Sequence, residues 1–221
     1  MIWKIKKITP PYVRISRLGR DIPSEYIVAG SKLSNIRQLV KEKYGEICSC
    51  IRCREIRDKL KIENCKLKIH RLDYDASGGR EVFLQYTDQD NRLYSLLRLR
   101  VPSCVIARSP EGSPLGRATW QSRDRHRPKG LRDDGIISSL QNAALIREVH
   151  TYGQLVPVGE KNKKATQHKG LGEKLICEAE RIAKKEFGLK KIIVTAGVGV
   201  RGYYRKLGYK LVDLGYMIKA F

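Results

Sequence analysis

The residues best placed to do chemistry are Gln167-His168-Lys169-Gly170-Leu171-Gly172-Glu173, where two glycines feed directly into a helix-patterned run. Leu171, Leu175, Ile176, Ala179, Ile182, Ala183 and Phe187 recur at helical spacing, Lys184 and Lys185 close the run, and Gly188 supplies a stop. The first turn of a helix has unpaired N–H groups and the positive end of the dipole, which together hold an anion. Glycine lets the backbone turn sharply with no Cβ covering those amides. The stretch is therefore either a phosphate cradle or simply a tight turn. It lacks the Gly-Lys-Ser/Thr ending of a Mg-nucleotide loop and does not read G-x-G-x-x-G, so neither of those sites is supported.

A second cluster is Cys48-Ser49-Cys50-Ile51-Arg52-Cys53. C-x-C-x-x-C lets one turn aim three sulfurs at a tetrahedral ion, with Cys65, His70 or water as the fourth ligand. The alternative is three reduced cysteines in a turn. Six cysteines in 221 residues are few for a disulfide scaffold, and their clustering fits metal or free thiols in a reducing cytoplasm.

Charge dominates the composition: 45 basic against 23 acidic residues, a net of +22. Heat adaptation raises Lys and Glu together, and here the acidic residues do not keep pace. Such an excess points to a polyanion. The first 60 residues hold 14 basic and 6 acidic, and residues 140–221 hold 16 and 7. Both ends being basic suits a long ligand touching several faces. No apolar run approaches a membrane span, and Met1-Ile2-Trp3-Lys4-Ile5-Lys6-Lys7 is too short in its apolar part for a secretory signal.

The elements that must position these residues follow from periodicity. Trp3 to Asp21 alternates loosely, with an extended piece at Tyr12–Ile15. A helix is expected over 32–44, capped by Ser31 or Ser34, with Leu33, Ile36, Leu39 and Val40 on its apolar face. Strands are expected at 65–74, 81–86 and 93–101, the last two flanking an Asp88-Gln89-Asp90-Asn91 turn. Residues 103–139 carry Pro110, Pro114 and Pro128 without periodicity and read as a long, flexible insertion. Ala143 to Tyr152 forms the next strand, its alternation placing Glu148 and His150 on one face and Arg147 and Val149 on the other. A strand at KKIIVTA, a short helix within GVGVRGYYRKLGY and a last strand complete the pattern.

Q-x-x-G-x-G resembles the pyrophosphate loop of GNAT acetyltransferases. ASGGREVFLQYTD, LYSLLRLRVPS, ALIREVHTYGQLVPVGE, QHKGLGEKLICEAERIA and GVGVRGYYRKLGY, in this order, resemble the acetyltransferase domain of the Elongator catalytic subunit family, which modifies the wobble uridine of tRNA. PPYVRISRLGRDIP and IRCREIRD resemble the segment joining that domain to the family's radical S-adenosylmethionine domain. The resemblance implies an α/β GNAT fold at 61–221, a mixed, largely antiparallel sheet flanked by helices, behind a basic, helix- and metal-bearing segment at 1–60. It implies acetyl-CoA at Gln167, His168, Lys169, Gly170, Leu171, Gly172, Glu173, Tyr203 and Tyr204, and zinc at Cys48, Cys50 and Cys53. Glu148 and His150 become candidates to activate water. Tyr203 or Tyr204 becomes the candidate for the sulfur side, at most one of them, because helical neighbours point about 100° apart. Arg14, Arg17, Lys41 and Arg52 become candidate tRNA contacts.

Nothing in the sequence matches the family's iron–sulfur cysteine spacing, so the radical domain is expected to be absent or to sit on a separate subunit. The expected function is tRNA-stimulated thioester cleavage in carboxymethyluridine formation. A conventional lysine or amine N-acetyltransferase and a non-catalytic tRNA-binding module remain the alternatives.

Overall fold

The computed structural model describes residues 1–19, 23–30, 32–33, 35–56, 66–102, 142–152, 170–212 and 215–221. Gln167, His168, Lys169, Cys65, the Ser31 and Ser34 caps and the 103–139 insertion lie outside the described residues.

The chain divides into two compact units. The first is Met1–His70, Gln85–Ser95 and Thr151–Lys169; the second is Arg71–Leu84, Leu96–His150 and Gly170–Phe221. Helix α1 (Ile2–Ile8), α2 (Ile36–Tyr44) and the single-turn α3 (Ile51–Arg54) belong to the first. The loose alternation read at Trp3–Ile8 is overturned by α1. A seven-residue stretch with apolar side chains at 2, 3, 5 and 8 satisfies helical spacing as well as strand spacing, and tertiary contact decides between them. Trp3 stacks on Tyr44 with ring centroids 5.4 Å apart, tying α1 to α2. Helix α2 begins four residues later than expected, with Asn35 at its N-cap and Gly45 at φ 72 ending it.

Strands β1 (Lys68–Ala76), β2 (Gly79–Thr87), β3 (Leu93–Pro102), β4 (Ala143–Thr151), β5 (Lys191–Thr195), β6 (Lys210–Leu211) and β7 (Tyr216–Ala220) form one mixed, mostly antiparallel sheet. Its order is β1-β2-β3-β4-β5-β7-β6. Strands β4 and β5 are parallel over Ala143↔Lys191 to Ile146↔Val194, and β7 runs antiparallel to both β5 and β6. Helix α4 (Leu171–Lys185) connects β4 to β5, and α5 (Arg201–Lys206) follows a short 3-10 turn at Val198–Val200.

The periodic residues of α4 do what their spacing requires: Leu171, Leu175, Ile176, Ala179, Ile182 and Ala183 are buried. Full burial of each larger aliphatic side chain contributes about 1.5–3 kcal/mol. Gly188 at φ 61 then turns the chain, and the Leu189 N–H returns to the Ala183 carbonyl at 3.0 Å. Ile192, Ile193 and Val194 of β5 and Met217 of β7 complete this part of the core.

Alternation holds through β1–β3 and fails in β4. Arg80 of β2 meets Asp73 and Asp75 of β1 on one face. On the other face Glu81, Phe83, Tyr74, Arg98 and Arg100 meet one another. Both Arg147 and Glu148 reach that second face: Arg147 bonds Glu81 at 2.7 Å and Glu148 bonds Arg98 at 2.8 Å. Neighbouring strand residues cannot share a face unless an extra residue intervenes, which is the pattern of a β-bulge. Thr151 paired with Ser95 at 3.0 Å confirms the parity beyond the break. The expected placement of Arg147 opposite Glu148 is therefore corrected, and the break falls where the β4–β5 register ends, at Ile146.

Candidate functional site

Helix α4 starts as an anion site should. Gly170 sits at its N-cap in the left-handed region, φ 67, and among the described residues no side chain caps the helix. A Cβ at Gly170 would meet no described residue within 4 Å, so glycine is required here by its backbone angle, not by a neighbour. The first turn carries Glu173, and Lys174 N–H bonds Gly170 O at 3.0 Å. Amides of that turn can receive a diphosphate. Of the predicted cofactor residues, the structure places Gly170, Leu171, Gly172 and Glu173 together at this start, with Leu171 turned into the core.

Tyr203 and Tyr204 lie on α5, their rings edge-to-face at 5.3 Å. Tyr204 is 7% exposed and packs against Tyr209 in turn; Tyr203 is 40% exposed. Burial first, then the charges of Tyr204, Glu173 and Cys177, push the Tyr203 phenol up to about 12. It keeps its proton at neutral pH and is suited to donate it. On α4, Glu180 accepts hydrogen bonds from Tyr209 at 2.9 Å and Lys219 at 2.7 Å.

Glu148 is half-buried on β4 just past the bulge, and His150, two residues on, is exposed. Glu148 Oε2 accepts from Arg98 Nε, and Arg98 also donates to the Tyr74 hydroxyl at 3.1 Å and lies over the Phe83 ring at 5.3 Å. Beside them Glu81, 1% exposed, shares its Oε1 between Arg100 at 2.9 Å and Arg147 at 2.7 Å. Sequence reading missed Arg98. A signal existed: Arg98 and Arg100 alternate with Leu97, Leu99 and Val101, a charged row along an otherwise apolar strand.

In the first unit, the Sγ atoms of Cys48, Cys50 and Cys53 lie within 4.8 Å of one another. A tetrahedral ion held at about 2.3 Å per sulfur asks for spacings of roughly 3.8 Å, so the donor set fits a soft divalent ion. Burial raises the Cys48 thiol to about 11. Burial also acts upward on Cys50, but hydrogen bonds from the Ile15 and Cys53 backbone and from the flanking thiols bring it down to about 7. Cys53 is exposed and receives Lys6 Nζ at 3.7 Å and Arg37 NH1 at 3.1 Å.

The candidate tRNA cations are already engaged within the protein. Arg14 pairs with Glu55 at 3.4 Å and donates to the Tyr152 hydroxyl; Arg52 pairs with the same Glu55 at 2.7 Å. Lys41 pairs with Glu46 at 2.5 Å. Arg17 lies in the segment after α1. Glu55 is 5% exposed and holds two arginines, so the group retains a positive excess. Among the described residues, no helix is long and apolar enough to cross a membrane.

No protein-family model matches the chain. Over 99% of its length it is 41% identical to the tRNA uridine(34) acetyltransferase of Dehalococcoides mccartyi, covering 43% of that protein. It is 43% identical over 94% of its length to the tRNA uridine(34) acetyltransferase of Methanocaldococcus jannaschii, covering 35% of it. Elongator complex protein 3 of Schizosaccharomyces pombe is 39% identical over 99% of the chain, which covers 36% of it. Among solved structures, the archaeal Methanocaldococcus infernus Elp3 with an N-terminal deletion superposes with a TM-score of 0.69 at 38% identity, over all of this chain and 47% of that one. The chain thus spans less than half the length of these relatives.

Proposed function

We propose that this chain, a relative of the tRNA uridine(34) acetyltransferases and Elongator complex protein 3 along nearly its whole length, is the acetyl-CoA-handling part of a wobble-uridine-modifying enzyme. Its sheet and helices are read as a GNAT fold. One observation carries the assignment: the Gly170-initiated start of α4, with no cap from any described side chain, in a chain matched end to end by proteins named for uridine(34) acetylation.

Acetyl-CoA supplies the acyl group. The amides of the α4 first turn hold its diphosphate, with Gln167, His168 and Lys169 assigned to the same loop. Glu148 or His150 takes the proton of the attacking water as the new C–O bond forms. Tyr203 gives a proton to the thiolate as the C–S bond breaks, yielding free thiol and acetate. Cys48, Cys50 and Cys53 hold zinc as a structural ion. Arg14, Arg17, Lys41 and Arg52 lie toward the tRNA. A radical S-adenosylmethionine domain or subunit supplies the carboxymethylation steps.

The deciding experiment measures thiol release from acetyl-CoA with and without tRNA. The expected outcome is release only when tRNA is present, with binding that weakens steeply as salt rises. Transfer to an amine without RNA would replace this reading with that of a conventional N-acetyltransferase.

A further inference from the structure

Arg98 is fixed from three strands. Its Nε donates to Glu148 Oε2 on β4 at 2.8 Å, its NH1 donates to the Tyr74 hydroxyl on β1 at 3.1 Å, and its guanidinium lies 5.3 Å from the Phe83 ring centroid on β2. Its side chain is 18% exposed while that of Glu148 is 34% exposed, so the arginine is the more deeply anchored partner. A guanidinium is a planar fork whose donors point in fixed directions, unlike the compact charge of a lysine. Held at one edge by Tyr74 and on one face by Phe83, it can orient a carboxylate.

That carboxylate needs orienting. Glu148 stands just past the bulge, where the β4–β5 register has ended and strand pairing to β5 no longer fixes the backbone. With Oε2 engaged by Arg98, Oε1 is the oxygen left to act as a base.

We propose that Arg98 is a positioning residue for Glu148: it sets which carboxylate oxygen takes the proton in thioester cleavage. This rests on the reading of Glu148 given under Proposed function. Arg98 touches no reacting atom; it acts through Glu148.

The test uses the full chain with acetyl-CoA and tRNA. Single-turnover thiol release and calorimetric acetyl-CoA affinity are measured for wild type, Arg98→Lys, Arg98→Ala, Tyr74→Phe, Glu148→Gln and the Arg98→Ala/Glu148→Gln double variant. Both Arg98 variants should cleave roughly tenfold to a hundredfold more slowly, the cost of a misplaced catalytic group, with cofactor affinity changed less than about threefold. The double variant should be no slower than Glu148→Gln alone, because Arg98 then has nothing to position. Added guanidinium ion should restore part of the Arg98→Ala rate, and Tyr74→Phe should give a smaller loss of the same kind. Full rate in Arg98→Lys, or equal losses from Arg98→Ala with and without Glu148, overturns the proposal while leaving the function intact. If Arg98→Ala fails to fold, Arg98→Lys and Tyr74→Phe decide. A wild type that releases no thiol overturns the functional reading, and this inference with it.

Discussion

The Cys48–Cys53 turn and the start of α4 are both candidate ion-binding sites, one for a cation and one for an anion, and they are built from different parts of the chain. At the turn, side chains make the site: three sulfurs converge, and Lys6 and Arg37 stand beside Cys53. At α4, the backbone makes it: Gly170 takes φ 67 and, among the described residues, no side chain caps the helix. A side-chain site is lost when its atoms are removed one residue at a time. A backbone site tolerates changes of side chain and fails when the backbone path changes.

That contrast breaks first at the cysteines. Cys48→Ser, Cys50→Ser and Cys53→Ser together should reduce bound metal from about one ion per chain to essentially none by elemental analysis. The melting temperature should fall by roughly 6–12 °C, corresponding to about 3 kcal/mol. Full metal retention in the triple variant would place the ion elsewhere.

Next in size is the backbone site. Gly170→Ala with Gly172→Ala should weaken acetyl-CoA binding about a hundredfold or more in calorimetry. The cost to folding should be only about 1–2 kcal/mol, from the left-handed angle at residue 170. Glu173→Gln, a change of side chain in the same turn, should alter affinity less than about threefold, given the modest worth of a charge at a helix end. Equal losses from both would erase the distinction between the two regions.

The smallest effect belongs to Tyr203, the candidate for the sulfur side. Tyr203→Phe should slow tRNA-stimulated cleavage about tenfold at unchanged affinity, and Tyr204→Phe, buried at 7% exposure, less. With its pKa raised to about 12, Tyr203 keeps its proton until the pH nears that value. Its contribution to rate should therefore be flat through neutral pH and lost only on strongly basic titration.

The sequence made the backbone site more legible than the side-chain networks. Glycine spacing before an apolar 3.6-residue period located α4, and Leu175, Ile176 and Ala179 are buried as that period requires. Strands β2 and β3 were equally clear, because Val82, Leu84, Leu97 and Leu99 alternate around a recognisable turn. Helix α1 was not, since apolar residues at 2, 3, 5 and 8 fit two periods and the Trp3–Tyr44 stack that selects one is a long-range contact. Nor was the Glu81–Arg100–Arg147 network, whose members meet only once three strands lie side by side. The triad of cysteines was visible as spacing; the Lys6 and Arg37 that flank Cys53 come from 47 and 16 residues away and left no local trace.

The extra residue in β4 acts as a phase shifter. Before it, odd-numbered positions look toward the arginine row; after it, even-numbered ones do, as the Arg147–Glu81 and Glu148–Arg98 contacts show. One strand thereby keeps step with β5 over Ala143–Ile146 and still delivers Glu148 and His150 to a face they would otherwise miss. Deleting a single residue at this point would leave composition, length and hydrophobicity almost untouched, yet turn every later side chain of the strand around. Transplanting this strand into another sheet would have to carry the irregularity along with the residues.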